Sequence, residues 1–158
     1  MALPNTTPAW VNRRPPALFS QQTEDLEIDI KLTKMNFTIK EGADVDGLDT
    51  HPDAYFNYGR PLHFASDITH INSKNLKDNL KVIKFLLGKG ADPRKPGLMH
   101  KDSALEEVKF SLKVALRNKR FQKEWKDGTD VISFLSRAYE EMKKAADRLD
   151  SMFVCPAR

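Results

Sequence analysis

Metal binding, nucleophilic attack and acid–base chemistry need histidine, cysteine or paired carboxylates at turn or helix spacing. This chain offers His51, His63, His70 and His100, Cys155, and the acidic run Asp44-Val45-Asp46-Gly47-Leu48-Asp49. No two of the histidines stand at i, i+4, and His51, His70 and His100 fall in polar segments without Cys or an acidic residue at ligand spacing. The acidic run has the composition of a calcium loop but not its order. Its glycine comes two places early for a loop starting at Asp44, and Tyr55 occupies the position that needs a bidentate glutamate. Cys155 stands beside Pro156 with no histidine near it, which suits a small hydrophobe or an inert thiol. There is no Gly-x-Ser-x-Gly elbow, no phosphate-cradling glycine loop and no His-Glu-x-x-His. No metal, no cofactor and no catalytic residue is expected, and the chain reads as a protein that is not an enzyme.

The length of 158 residues suits one domain with a tail. With 40% apolar and 30% charged residues, the composition is neither disordered nor that of a membrane protein. The longest apolar runs are Phe85-Leu86-Leu87 and Met152-Phe153-Val154-Cys155, far short of the roughly 20 residues a bilayer span needs. No apolar h-region opens the chain, so no secretory signal is expected. A lone cysteine cannot close an internal disulfide and fits a reducing intracellular compartment. Cytoplasm or an organelle would serve. A mitochondrion is compatible with the net charge of +4, although the acidic residues from Glu24 to Asp29 are unlike a transit peptide.

The charge is unevenly spread. Residues 1–50 hold five basic and eight acidic side chains, whereas Lys109 to Lys126 hold seven cations against Glu124 alone. Lys113, Arg117, Lys119, Arg120, Lys123 and Lys126 form a candidate basic patch for phosphate or for an acidic protein surface. The bland reading is a solvated helix face. Phe110, Leu112, Val114 and Leu116 interleave with the cations, so part of the stretch is expected to face a core.

The elements that would position these groups are helical. Residues 1–22 contain Pro4, Pro8, Pro15 and Pro16 and read as an extended tail. Its large side chains Trp10, Leu18 and Phe19 either dock in a partner's pockets or fold back on the domain. From Thr23 the pattern becomes helical, most clearly over Lys31 to Lys40, with Gly42 as the stop, and a loop from Asp44 to Gly59 follows. Pro61 suits the first turn of a short helix. Asn79 to Lys89 carries Leu80, Val82, Ile83, Phe85, Leu86 and Leu87 as a buried helix that Gly90 ends. Ser103 and Glu106 form a capping box ahead of a helix whose buried face is expected at Leu105, Val108, Leu112, Ala115 and Leu116. Residues 119–158 form the last region. In it Thr129 is the expected cap, and Val131, Ile132, Leu135, Ala138, Tyr139, Met142, Ala146 and Leu149 make a stripe at helical spacing.

Internal repetition organises these pieces. Gly42-Ala43-Asp44-Val45-Asp46 returns as Gly90-Ala91-Asp92-Pro93-Arg94, each after an amphipathic helix, with Arg60-Pro61-Leu62-His63-Phe64-Ala65 between them. This resembles the ankyrin repeat, in which Thr-Pro-Leu-His-x-Ala opens a first helix and Leu-Leu-x-x-Gly-Ala-Asp closes the second. Pro61, Leu62, His63 and Ala65, and then Gly90, Ala91 and Asp92, match in order, with Gly42 marking an earlier partial unit. The resemblance spans about Leu32 to Leu116 and implies a mostly α fold: a short ankyrin-type α-solenoid over 23–118 between the tail and a long C-terminal capping helix. It also implies that His63 satisfies backbone groups between neighbouring units. Two departures stand out. The two glycines lie 48 residues apart instead of about 33, and Arg60 replaces a threonine whose hydroxyl helps close the turn.

Such a stack offers surface. The expected function is a non-catalytic protein–protein interaction module, an accessory or structural subunit of a larger complex, with other protein subunits as partners. Tyr55, Phe56 and Tyr58 in the inserted loop would be contact anchors, unless they pack on the base of that loop. Two other classes use the same residues: an RNA- or ribosome-associated protein working through the basic stretch, and a soluble ankyrin-type inhibitor of one partner enzyme.

Overall fold

The computed structural model describes residues 26–48, 60–68, 75–97, 101–118 and 128–154, and these are mostly α-helical. Five helices follow one another: α1 Ile28–Lys40, α2 Pro61–Ser66, α3 Leu76–Gly88, α4 Ala104–Arg117 and α5 Gly128–Phe153. Among the described residues the β contribution is one isolated antiparallel bridge, Pro96 to Ser103.

Several helix boundaries have a local cause. Pro61 stands at the first helical position, where its missing N–H has no intrahelical partner to lose. Ser103 and Glu106 close the capping box: the Glu106 carboxylate accepts from the Ser103 backbone at 2.8 Å, and Ser103 Oγ accepts from the Glu106 N–H at 3.3 Å. At the other ends, α1 and α3 stop in the same way. Gly42 takes φ +102° and Gly90 φ +94°, a region that side chains with a Cβ rarely enter. Ala43 N–H then reaches back to Thr38 O at 3.1 Å and Ala91 N–H to Leu86 O at 3.0 Å, the 6→1 bond of a Schellman stop.

Packing follows a regular order. α1 contacts α3 and α3 contacts α5, while α2 contacts α4; the pairs α2/α3 and α4/α5 join these two rows. The core is one cluster that includes Met35 of α1, Leu62 of α2, Ile83 and Leu86 of α3, Val108 of α4 and Leu135 and Met142 of α5. Each fully buried Leu, Ile or Met of this kind contributes roughly 1.5–3 kcal/mol through burial. α5 buries Val131, Phe134, Leu135, Ala138, Met142, Ala145 and Ala146. Their spacing of three and four lays one stripe from Val131 to Ala146, about 23 Å of this 26-residue helix.

Three sequence expectations are corrected. α3 begins at Leu76, three residues before the expected start, whereas α1 from Ile28 lies within the stretch that reads as helical. α5 begins at Gly128, so Thr129 lies inside its first turn and does not precede it. Leu116, expected in the core, faces solvent, as do Phe110 and Val114. At about 100° per residue, Leu116 turns well away from its buried neighbour Ala115, and among its described residues the basic stretch meets the core through Ala115 and the partly buried Leu112.

Candidate functional site

The repeated turns are built alike. In the first, Asp44 Oδ1 accepts the Asp46 N–H at 2.9 Å and Asp44 O accepts the Gly47 N–H at 3.0 Å. In the second, Asp92 Oδ1 accepts the Arg94 N–H at 3.0 Å and Asp92 O the Lys95 N–H at 3.3 Å. Each aspartate thus forms an Asx-turn over its own backbone, which is the physical reason for an acidic residue after Gly-Ala. The Arg94 guanidinium also bonds Asp92, and its donors hold that carboxyl below the usual carboxylate range against the opposing effect of burial, the largest single influence.

Long-range bonds then join turn to turn. The carboxylate of Asp46, only 5% exposed, accepts the Asp92 N–H at 3.1 and 3.2 Å and the Lys95 ammonium at 2.8 Å. That contact raises the Lys95 pKa. Arg60 spans the same joint: one guanidinium nitrogen donates to Asp46 O at 2.6 Å and Nε donates to Pro96 O at 2.8 Å. The residue read as a lost hydroxyl is therefore a clamp on two carbonyls. Further along, Arg94 ion-pairs with Asp150 of α5.

His63 is buried in α2, with Nε2 3.0 Å from the Asp102 carbonyl ahead of α4. A carbonyl only accepts, so Nε2 carries the proton. Nδ1 then carries no proton and has no hydrogen-bond partner among the described residues. Burial disfavours the cation and lowers the His63 pKa, with the Asp102 carbonyl pulling the other way. Pro61, Leu62 and Ala65 are buried beside it, as is Ala91 at the second turn. Near the same junction, Glu107 of α4 is half-buried. Desolvation first, and then the charges of Asp67 and Asp102, push its pKa up to about 7.

These polar groups act on the protein's own backbone. Large apolar groups do the opposite: Phe37 of α1 is 64% exposed, Phe110 of α4 68% and Phe153 at the end of α5 80%, with Ile30, Val114, Leu116, Met152 and Val154 also exposed. Lys113 and Arg117 are exposed on α4 as expected for the basic patch. Trp10, Leu18, Phe19, Tyr55, Phe56 and Tyr58, together with Lys119, Arg120, Lys123 and Lys126, lie outside the described residues. Sequence reasoning did not single out Asp46. The signal that could have found it is a second aspartate after Gly-Ala-Asp, one more than the local turn uses.

No described helix is long and apolar enough to cross a membrane, and no group of three or more His, Cys, Asp or Glu among the described residues could hold a metal ion. No family model, no curated protein and no solved structure matches the chain.

Proposed function

We propose that this chain is a non-catalytic protein–protein interaction module, an accessory or structural subunit of a larger assembly, built as a short ankyrin-type solenoid. α1 is then the second helix of a partial unit, α2 and α3 a full repeat, and α4 and α5 a divergent closing pair. The alternating helix contacts and the twin Schellman and Asx turns support that arrangement. One observation carries the functional reading. Among the described residues, His63 and Asp46 are tied to the chain's own backbone and turns, while phenylalanines on three different helices face solvent. Exposed apolar side chains that adjoin one another, as Phe110 with Val114 and Phe153 with Met152 and Val154, mark contact surfaces.

The test is the mass of the native protein purified under mild conditions. The expected result is co-migration well above the 18.0 kDa of the chain, retained at high salt if apolar contacts dominate. A monomer would overturn the reading. Steep loss of the partner with rising salt would favour the RNA-associated alternative, since phosphate contacts are lost with a slope set by the number of charges neutralised.

A further inference from the structure

α4 buries Ala104, Val108 and Ala115. Phe110 does not belong to that stripe. At about 100° per residue it lies nearly opposite Val108, on the side of the helix turned to solvent. Phe110, Lys113, Val114 and Arg117 follow one another at i, i+3, i+4 and i+7, and all four are exposed. They form a continuous row about 10 Å long. Lys109 and Leu116 flank it, also exposed.

The electrostatics of this row are one-sided. Among the described residues, no carboxylate lies within ion-pair distance of Lys109, Lys113 or Arg117. The one exposed acid on α4, Glu106, accepts the Ser103 N–H at 2.8 Å and the Ser103 hydroxyl at 2.9 Å, and the cation it feels is Lys109, not Lys113 or Arg117. Ion pairs do form elsewhere on the surface. Arg94 meets Asp150, Lys95 meets Asp46 and Lys144 meets Glu141. α4 therefore combines unneutralised positive charge with solvent-facing apolar surface.

We infer that the Phe110–Lys113–Val114–Arg117 row of α4 is a docking face for an acidic amphipathic helix of a partner protein. Lys113 and Arg117 are one helical turn apart, so two carboxylates at i and i+4 on the incoming helix meet both cations in register. An apolar residue between those carboxylates covers Phe110 and Val114. Phe110 and Val114 lie within the row and gain nothing from a phosphate backbone, which favours a protein over RNA. Two apolar side chains offer little area to an acyl layer, which favours it over a lipid surface. This inference rests on the interaction-module reading in needing a protein partner.

The test uses the full chain and a labelled synthetic amphipathic helix with Leu on one face and Glu pairs one turn apart. A matched peptide with Lys for Glu, a short oligouridine and phosphatidylserine-containing vesicles serve as comparison probes. The Glu peptide should bind, and the double variant Lys113→Glu, Arg117→Glu should weaken it at least about tenfold and bind the Lys peptide in its place. Phe110→Ser should weaken the Glu peptide several-fold without altering the thermal midpoint, because the side chain is exposed. Failure of the Glu peptide to bind, or binding unmoved by the charge reversal, overturns the inference. So does tighter binding of oligouridine or vesicles that the reversal abolishes. If any of these occurs while the native protein still migrates in a complex, this face is not the grip and the module reading stands. A monomeric native protein removes both.

Discussion

In the first turn the residue two places after Asp44 is Asp46; in the second the residue two places after Asp92 is Arg94. The backbones around them are the same: a glycine at positive φ, a 6→1 bond and an Asx-turn. Both side chains also reach forward to the next unit, Asp46 to the second turn and Arg94 to α5. Their surroundings differ. Asp46 is buried and accepts from a backbone N–H that has left water, whereas the Arg94 side chain is 35% exposed and its partner Asp150 67% exposed. One position of one repeat thus carries opposite charges for the same task, and burial decides how much each matters.

The largest expected effect is at the buried connector. Asp46→Ala leaves the Asp92 N–H and the Lys95 ammonium without their acceptor and should cost about 2–4 kcal/mol in urea unfolding. Asp46→Asn keeps one acceptor oxygen and should cost less. If Asp46→Ala were no more harmful than Arg94→Ala, burial would not distinguish the two joints.

The next effect tests the sameness of the turns. A Cβ at Gly42 or at Gly90 meets nothing within 4 Å, so the cost of alanine is purely that of the backbone conformation. Gly42→Ala and Gly90→Ala should each destabilise by roughly 1–2 kcal/mol, and by equal amounts. Unequal losses would show that the second turn is held more rigidly than its local bonds require.

Much of this was legible in the sequence, because it rests on local geometry. Gly42 and Gly90 announce helix stops, Pro61 a helix start, and Ser103 with Glu106 a capping box, since each acts on backbone within a few residues. Arg60 was not legible. Its partners are the carbonyls of Asp46 and Pro96, and backbone oxygens carry no residue-type signal. Leu116 misled for another reason. An apolar residue among cations fits either a core stripe or a contact face, and only the rotation of α4 against α5 separates the two.

The junction of α2 with α4 sharpens the contrast, because it is held by a neutral ring and not by a connector charge. The Glu107 carboxyl there has a folded pKa raised to about 7 from 4.5. Between these values the unfolded chain releases the proton first, so Glu107 makes the protein less stable as pH rises from about 4.5 to about 7 and no further above that. His63 acts in the opposite sense. Its folded pKa is lowered, so it contributes stability above pH 6.5 that is lost as pH falls below that value. Glu107→Gln should abolish the first slope and stabilise the protein at pH 8 by on the order of 1 kcal/mol. Partial exposure of the carboxyl holds the gain well below the full linkage value. Thermal unfolding of both proteins from pH 4 to 8 measures it.

The smallest effect belongs to Arg94, and it is the sharpest test of the opening comparison. Arg94 forms two charge contacts, with Asp92 inside its own turn and with Asp150 on α5. Both leave the guanidinium in contact with water, where ion pairs contribute little and are screened by salt. The Asx-turn survives without it, because the Arg94 N–H that closes the turn is backbone. Arg94→Ala and Asp150→Asn should therefore shift the thermal midpoint by no more than about 1 °C at low salt, and by nothing resolvable in molar salt. The double variant should match the worse single one. A loss that persists in high salt would mean that the aliphatic stem of Arg94 packs α5 against the second turn, and that the two connectors differ in charge but not in weight.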